Sequence, residues 1–244
     1  MKKIAIFTEG QGELIFVRNL LPRVLGYENL KIECFELHSD QFRKTPYPIY
    51  HPDPLFHFLI VNVANDARVI TAIREREQGL WKQGYEAIIG LRDMYSAAYR
   101  TLASEIDDSV TNKFIQGHEE AIIQTMVKPE KIQVYFAIME FEAWLLAMYS
   151  LFAKIDPDLT VDFIAEKLDF NLKKISPQTE FFHPTNVVER IFRLVGKTYA
   201  KSRDEMESIS NMIDDQDIRH ALETGKCDSF ASFWNRLNSL RNEN

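Results

Sequence analysis

Three apolar runs in this chain end in acids. Glu9 follows the run at residues 4–8, Asp93 follows 87–92, and Glu140 and Glu142 follow 133–139. If these runs are parallel strands, their carboxyl ends share one edge of a sheet, where open α/β folds bind ligands. Carboxylates brought together there repel and call for a compensating cation. Hard oxygen donors suit Mg²⁺ or Mn²⁺ rather than zinc. Helix capping explains any one of these acids alone, since carboxylates are favoured at helix N-termini. The three strand ends taken together point to a metal site at Glu9, Asp93, Glu140 and Glu142. Glu140 and Glu142 stand two apart, so an extended backbone aims both to one side and a helical backbone separates them.

The elements that must position these acids follow from periodicity. MKKIAIFTEGQGELIF, residues 1–16, reads as strand, glycine turn and helix. The helix covers 13–25 with one apolar face, and Pro22 is expected to end or kink it. Residues 30–37 alternate as a strand. The segment 40–54 carries four prolines and reads as a loop. Residues 55–63 form a core strand, after which Asn65-Asp66 are expected to cap a helix over 67–83. Strands at 86–91 and 131–138 alternate with helices at 97–105, 112–126 and 143–147. From residue 156 short helices dominate, at 160–168, 186–198, 203–212, 218–224 and 229–240. The pattern predicts a mostly parallel sheet flanked by helices over 1–150 and a helical C-terminal extension over 151–244.

The totals bound the function. A chain of 244 residues with 45% hydrophobic and 27% charged residues reads as an ordinary globular protein. A net charge of −7 excludes a generally basic surface for polyanions, while leaving room for a local basic groove or a metal. Cys34 and Cys227 have no metal-ligand spacing, and a reducing cytoplasm is expected. The first apolar run stops at Glu9, too short for a signal peptide, and no stretch reaches the roughly 18 apolar residues of a membrane span.

The motifs resemble the TOPRIM-type nuclease superfamily, the metal-dependent domain of topoisomerases, primases and OLD-type nucleases. FTEGQGELIF, residues 7–16, is similar to its first motif and IIGLRDMY, residues 88–95, to its second. The resemblance implies a TOPRIM-like α/β fold. It implies Glu9 as general acid/base or metal ligand, Asp93 as metal ligand, and Glu13 as a supporting acid one helical turn on. Many such domains carry a second acid where this chain has Tyr95. A similar Asp-x-Tyr form, with a segment like MEFEAWLL at 139–146, occurs in small bacterial TOPRIM-like families associated with ABC/AAA-type ATPases. Residues 198–201 (TYAK) and 226–230 (KCDSF) are similar to late segments of that group, and Lys201 would contact the scissile phosphate. The implied activity is Mg²⁺- or Mn²⁺-dependent hydrolysis of phosphodiester bonds, in DNA more than RNA, as the effector of a bacterial defence module with an ATPase partner. The alternative is a catalytically silent binding module acting with that ATPase.

Other residues carry less. Gly10 and Gly12 precede no Gly-Lys-Ser/Thr and form no phosphate loop. His38, His51, His57, His118, His183 and His220 show no shared ligand spacing. Arg190, Arg193 and Lys197, spaced i, i+3, i+7, would share one helix face and hold a nucleic-acid backbone, or form a solvated face.

Overall fold

Ile4, Ala5, Ile6 and Phe7 are wholly excluded from solvent, because they lie at the centre of a sheet. The computed structural model describes residues 1–39, 41–64 and 68–242. Seven strands form one mixed sheet: β1 (Lys2–Thr8), β2 (Leu30–His38), β3 (Gln41–Lys44), β4 (Ile49–Tyr50), β5 (Phe56–Asn62), β6 (Ala87–Asp93) and β7 (Ile132–Ala137). The order is β3-β2-β5-β1-β6-β7, with β4 also on β2. The pairs β2–β5, β5–β1 and β1–β6 are parallel, so the expected mostly parallel sheet is present. Near-continuous Ile, Val, Leu and Phe runs are what strands buried on both faces require.

Two compact units divide the chain. One, the sheet unit, comprises Met1–Arg92, Asn112–Phe136 and Leu237–Asn244. The other, the helical unit, comprises Asp93–Thr111 and Ala137–Arg236. A single break at residue 150 does not describe this division, because the chain enters the helical unit at the end of β6 and again at the end of β7.

In the sheet unit, α1 (Gln11–Leu25) follows β1 and runs through Pro22 to Leu25. Helix α2 (Val69–Lys82) contributes Val69, Ala72, Ile73 and Leu80 to a core shared with Ala5, Phe7, Leu59 and Val61. The cap expected at Asn65-Asp66 falls outside the described residues. Helix α4 (Asp108–Thr125) adds Ile122 to the same core. A Cβ on Gly90 of β6 would stand 2.9 Å from the Val134 Cγ2, so any larger residue there would force its neighbours to shift. The segment read as a proline loop instead forms two short strands. Gln41–Lys44 and Ile49–Tyr50 pair antiparallel with β2, the prolines falling between or after them. Edge strands accept such neighbours because only one ladder must be satisfied.

In the helical unit, α5 (Glu142–Ala147) is buried along its whole length. Trp144 at its centre stacks on Phe233 at 5.5 Å and meets Phe230 edge-on at 5.4 Å, both from α12 (Asp228–Ser239). Its indole N–H donates to the Ser229 hydroxyl. A helix apolar all round belongs inside a bundle. Around it lie α3 (Ala97–Leu102), α6 (Leu151–Ile155), α7 (Val161–Leu168), α8 (Pro177–Glu180), α9 (Pro184–Arg193), α10 (Arg203–Met212) and α11 (Asp215–Ala221). Among the described residues no helix is long and apolar enough to cross a membrane.

Candidate functional site

The turn between β7 and α5 carries the acids that the sequence singles out. Met139 sits at φ +63°, a left-handed conformation uncommon for a residue with a side chain. That turn, rather than an extended or a helical backbone, brings the two glutamates to one partner. Glu140 precedes α5 and Glu142 opens it, yet both reach Thr185 in the first turn of α9. The Thr185 amide donates to Glu140 Oε2 at 2.7 Å, and its hydroxyl donates to Glu142 Oε2 at 3.0 Å. The N-terminus of α9 thus faces two carboxylates, the charge its dipole favours.

Asp93, at the end of β6, holds the same turn. Its Oδ1 accepts the Phe141 amide, between the two glutamates, at 2.8 Å. The backbone ladder continues beyond the strands, with Met94 donating to Ala137 and Tyr95 to Met139.

Glu142 is the most enclosed acid, its side chain 1% exposed. The second oxygen, Oε1, accepts the Tyr199 hydroxyl and the Lys201 ammonium, each at 2.7 Å. Lys201 arrives from the segment between α9 and α10 with a left-handed backbone, φ +51°, and a side chain 43% exposed. Glu140 is half-buried, and desolvation holds its carboxyl above the usual carboxylate range. The nearby Glu142 charge raises it further, against the lowering effect of the Thr185 amide.

Tyr95, at the position where a second acid was in question, has its hydroxyl 3.0 Å from His183 Nε2 and its ring edge-on to Phe182. His183 immediately precedes α9, so it belongs to the same wall as Thr185.

Of the predicted site residues, Asp93, Glu140, Glu142 and Lys201 come together in the helical unit. Glu9 and Glu13 belong to the sheet unit. Glu9 follows β1 and is half-buried, its amide donating to the Leu91 carbonyl. Glu13 folds back over the start of α1, its Oε2 2.6 Å from where a Gly10 Cβ would lie. That placement is the electrostatically favoured one for a first-turn acid.

The expected basic face is not a single helix face. Helix α9 ends at Arg193, four residues before Lys197. Lys197 lies beyond it, pairing with Asp156 at 3.0 Å and donating to the Ile155 carbonyl. Arg190 and Arg193 stay exposed on α9, and Arg193 pairs with Glu189 at 2.9 Å.

Sequence reasoning missed Thr185, Tyr199 and His183. A signal for Tyr199 existed, because Tyr199 and Lys201 stand two apart in a non-helical segment. Thr185 and His183 had none, because their role depends on where α9 begins in space.

The donor set of this cluster is oxygen only, apart from His183 and Lys201. A family model described as "Domain of unknown function (DUF4276)" matches residues 8–238. The chain belongs to this family. The matched span takes in every residue of the cluster, so the cluster is internal to the family domain and not an appendage to it. No curated protein matches the chain. No solved structure matches it.

Proposed function

We propose that the chain is a Mg²⁺- or Mn²⁺-dependent hydrolase of phosphodiester bonds in nucleic acid, DNA more than RNA, on a TOPRIM-like domain. The observation that carries this reading is the convergence of Glu140 and Glu142 on Thr185, with Asp93 bonded to the backbone between them. The donor chemistry fits a hard cation. Among the described residues no group of three acidic, His or Cys side chains surrounds one point. Mg²⁺ does not need such a cage, because it keeps waters and binds through one or two carboxylates plus substrate phosphate. Glu140 and one neighbour, Asp93 or Glu142, would hold it with water and substrate phosphate, and the bound ion would offset charge developing on the phosphate.

The chain's own groups have separable tasks. Thr185 and Tyr199 fix the Glu142 carboxylate, so its position costs no reorganisation during reaction. Asp93 sets the turn that aims Glu140. Burial, and after it the Glu142 charge, hold the Glu140 carboxyl above the usual carboxylate range. Lys201 supplies a cation at the rim, in reach of an incoming phosphate on account of its exposure. The roles of Glu9 as general acid/base and of Glu13 as its support rest on the motif alone. Arg190 and Arg193 would contact the nucleic-acid backbone. An ABC/AAA-type ATPase partner, a defence role and a cytoplasmic location belong to the same proposal, the last supported by two free, buried cysteines.

The test is cleavage of plasmid and of RNA by purified protein. Cutting should require Mg²⁺ or Mn²⁺, fall to background in Asp93→Asn and Glu140→Gln, and fall in Glu9→Gln. Undiminished cutting by the first two variants removes this site from the reaction.

A second reading, a silent binding module, draws on two specific contacts. Lys201 already neutralises Glu142, and Tyr95 is bonded to His183 rather than replaced by an acid. Under that reading the wild type neither cuts nor takes up Mn²⁺.

A further inference from the structure

The ammonium of Lys201 lies 2.7 Å from Glu142 Oε1, on the carboxylate that the proposed function assigns to a divalent cation. The two ends of this ion pair are unlike. Glu142 is fixed: its side chain is 1% exposed, its helix is buried, and Thr185 and Tyr199 hold it from two sides. Lys201 is 43% exposed and rides on residues 197–202, which form neither helix nor strand. Its backbone adopts φ +51°, a conformation costly for a residue with a Cβ and kept only where contacts compensate.

The anchoring on either side of this segment confines the movement to a few residues. Lys197 is tied back by Asp156 and the Ile155 carbonyl, and the Ala200 amide donates to Glu205 in the first turn of α10. Ser202 caps α10 through the Glu205 amide. Lys201 therefore has a partly exposed side chain on a fixed base, and withdrawal of its ammonium requires no helix to move.

We propose that Lys201 is a built-in counter-ion for Glu142, exchanged for the divalent cation when the site loads. The inference rests on the metal-dependent reading above. Two positive charges cannot share one carboxylate oxygen at contact distance in a partly desolvated site without strong repulsion. Ammonium and metal on Glu142 Oε1 are thus alternatives. Without metal, Lys201 spares the protein a buried unpaired charge. With metal, the same lysine is released to the rim.

Calorimetric titration of Mn²⁺ into wild type, Lys201→Met and Lys201→Arg tests the exchange without reference to activity. Removing the competing charge should tighten Mn²⁺ binding in Lys201→Met by about tenfold, the scale of one partly buried ion pair. Lys201→Arg keeps the charge and engages carboxylates more firmly, so it should bind Mn²⁺ no tighter than wild type. Equal affinity in all three overturns the exchange while leaving the metal site standing. Absence of Mn²⁺ binding in all three overturns both.

Discussion

Two buried carboxylates in the helical unit each meet a lysine at contact distance, and they are built for different ends. Asp217 in the first turn of α11 is 0% exposed and pairs with Lys154 of α6 at 2.6 Å. Glu142 is 1% exposed and pairs with Lys201 at 2.7 Å. Around Asp217 every other contact comes from a residue that caps a helix. Ser150 donates its hydroxyl, the Asp214 amide closes a capping box, and Lys154 also binds Asp214 at 2.6 Å. Around Glu142 the lysine comes from an irregular segment, and a second acid stands two residues away, bonded to the same threonine. The first pair is a staple between helices. The second, under the exchange proposed above, has a replaceable cation. Chemical identity of a pair therefore says little about its role, and the element that carries each partner says more.

Deleting the acid on each side should separate the two roles most sharply. Asp217→Ala removes a wholly buried carboxylate and leaves the Ser150 hydroxyl and the Asp214 amide without their acceptor, and should cost about 3 kcal/mol in urea unfolding. Glu142→Gln keeps one acceptor oxygen, for Thr185 or Tyr199, and removes one partner of a lysine whose side chain is 43% exposed. Its stability should change by about 1 kcal/mol or less. Equal losses would erase the distinction between staple and exchangeable pair.

The basic residues of α9 give a smaller effect, on binding alone. The double variant Arg190→Ala/Arg193→Ala should weaken DNA binding about tenfold, uniformly across sequences, and flatten its salt dependence by about two ions. Lys197→Ala should alter DNA binding less and stability more, because Lys197 is committed to Asp156 and Ile155. A sequence-dependent loss would contradict a backbone-contact role.

The smallest effect is in pH. The Lys154 hydrogen bond leads in lowering the Asp214 carboxyl from 3.8 to about 2. A depressed acid contributes stability that is complete above its unfolded value and lost as pH falls from near 4 through about 2. Asp214 is half-exposed, so after solvent screening this contribution is only about 0.5 kcal/mol. Acid unfolding of Lys154→Met should show a correspondingly smaller drop across that window than wild type. An unchanged drop would assign the acid sensitivity elsewhere.

Much of the sheet was legible because β1, β5 and β6 are buried on both faces and leave uninterrupted apolar runs. The strands at 41–44 and 49–50 were not, because their pairing with β2 is a long-range contact and their own residues are polar or proline-flanked. Helix α9 was expected to run to residue 198 and stops at Arg193, since Gly196 at φ +72° follows within the last turn. That early stop removes Lys197 from the basic face. Within the site, Glu140 and Glu142 were legible as a pair, but the geometry joining them depends on Met139 and Thr185, which no local pattern marks. Lys201 was found, with its partner Glu142 visible only in space.

The central claim is that the cluster of Asp93, Glu140 and Glu142 takes up a divalent cation. Titrating Mn²⁺ into isotopically labelled protein and following paramagnetic broadening of amide resonances tests it most directly. The Phe141, Glu142 and Thr185 amides should broaden first in wild type, and this early broadening should vanish in Glu140→Gln. Broadening that begins elsewhere, or that persists unchanged in Glu140→Gln, would contradict the account.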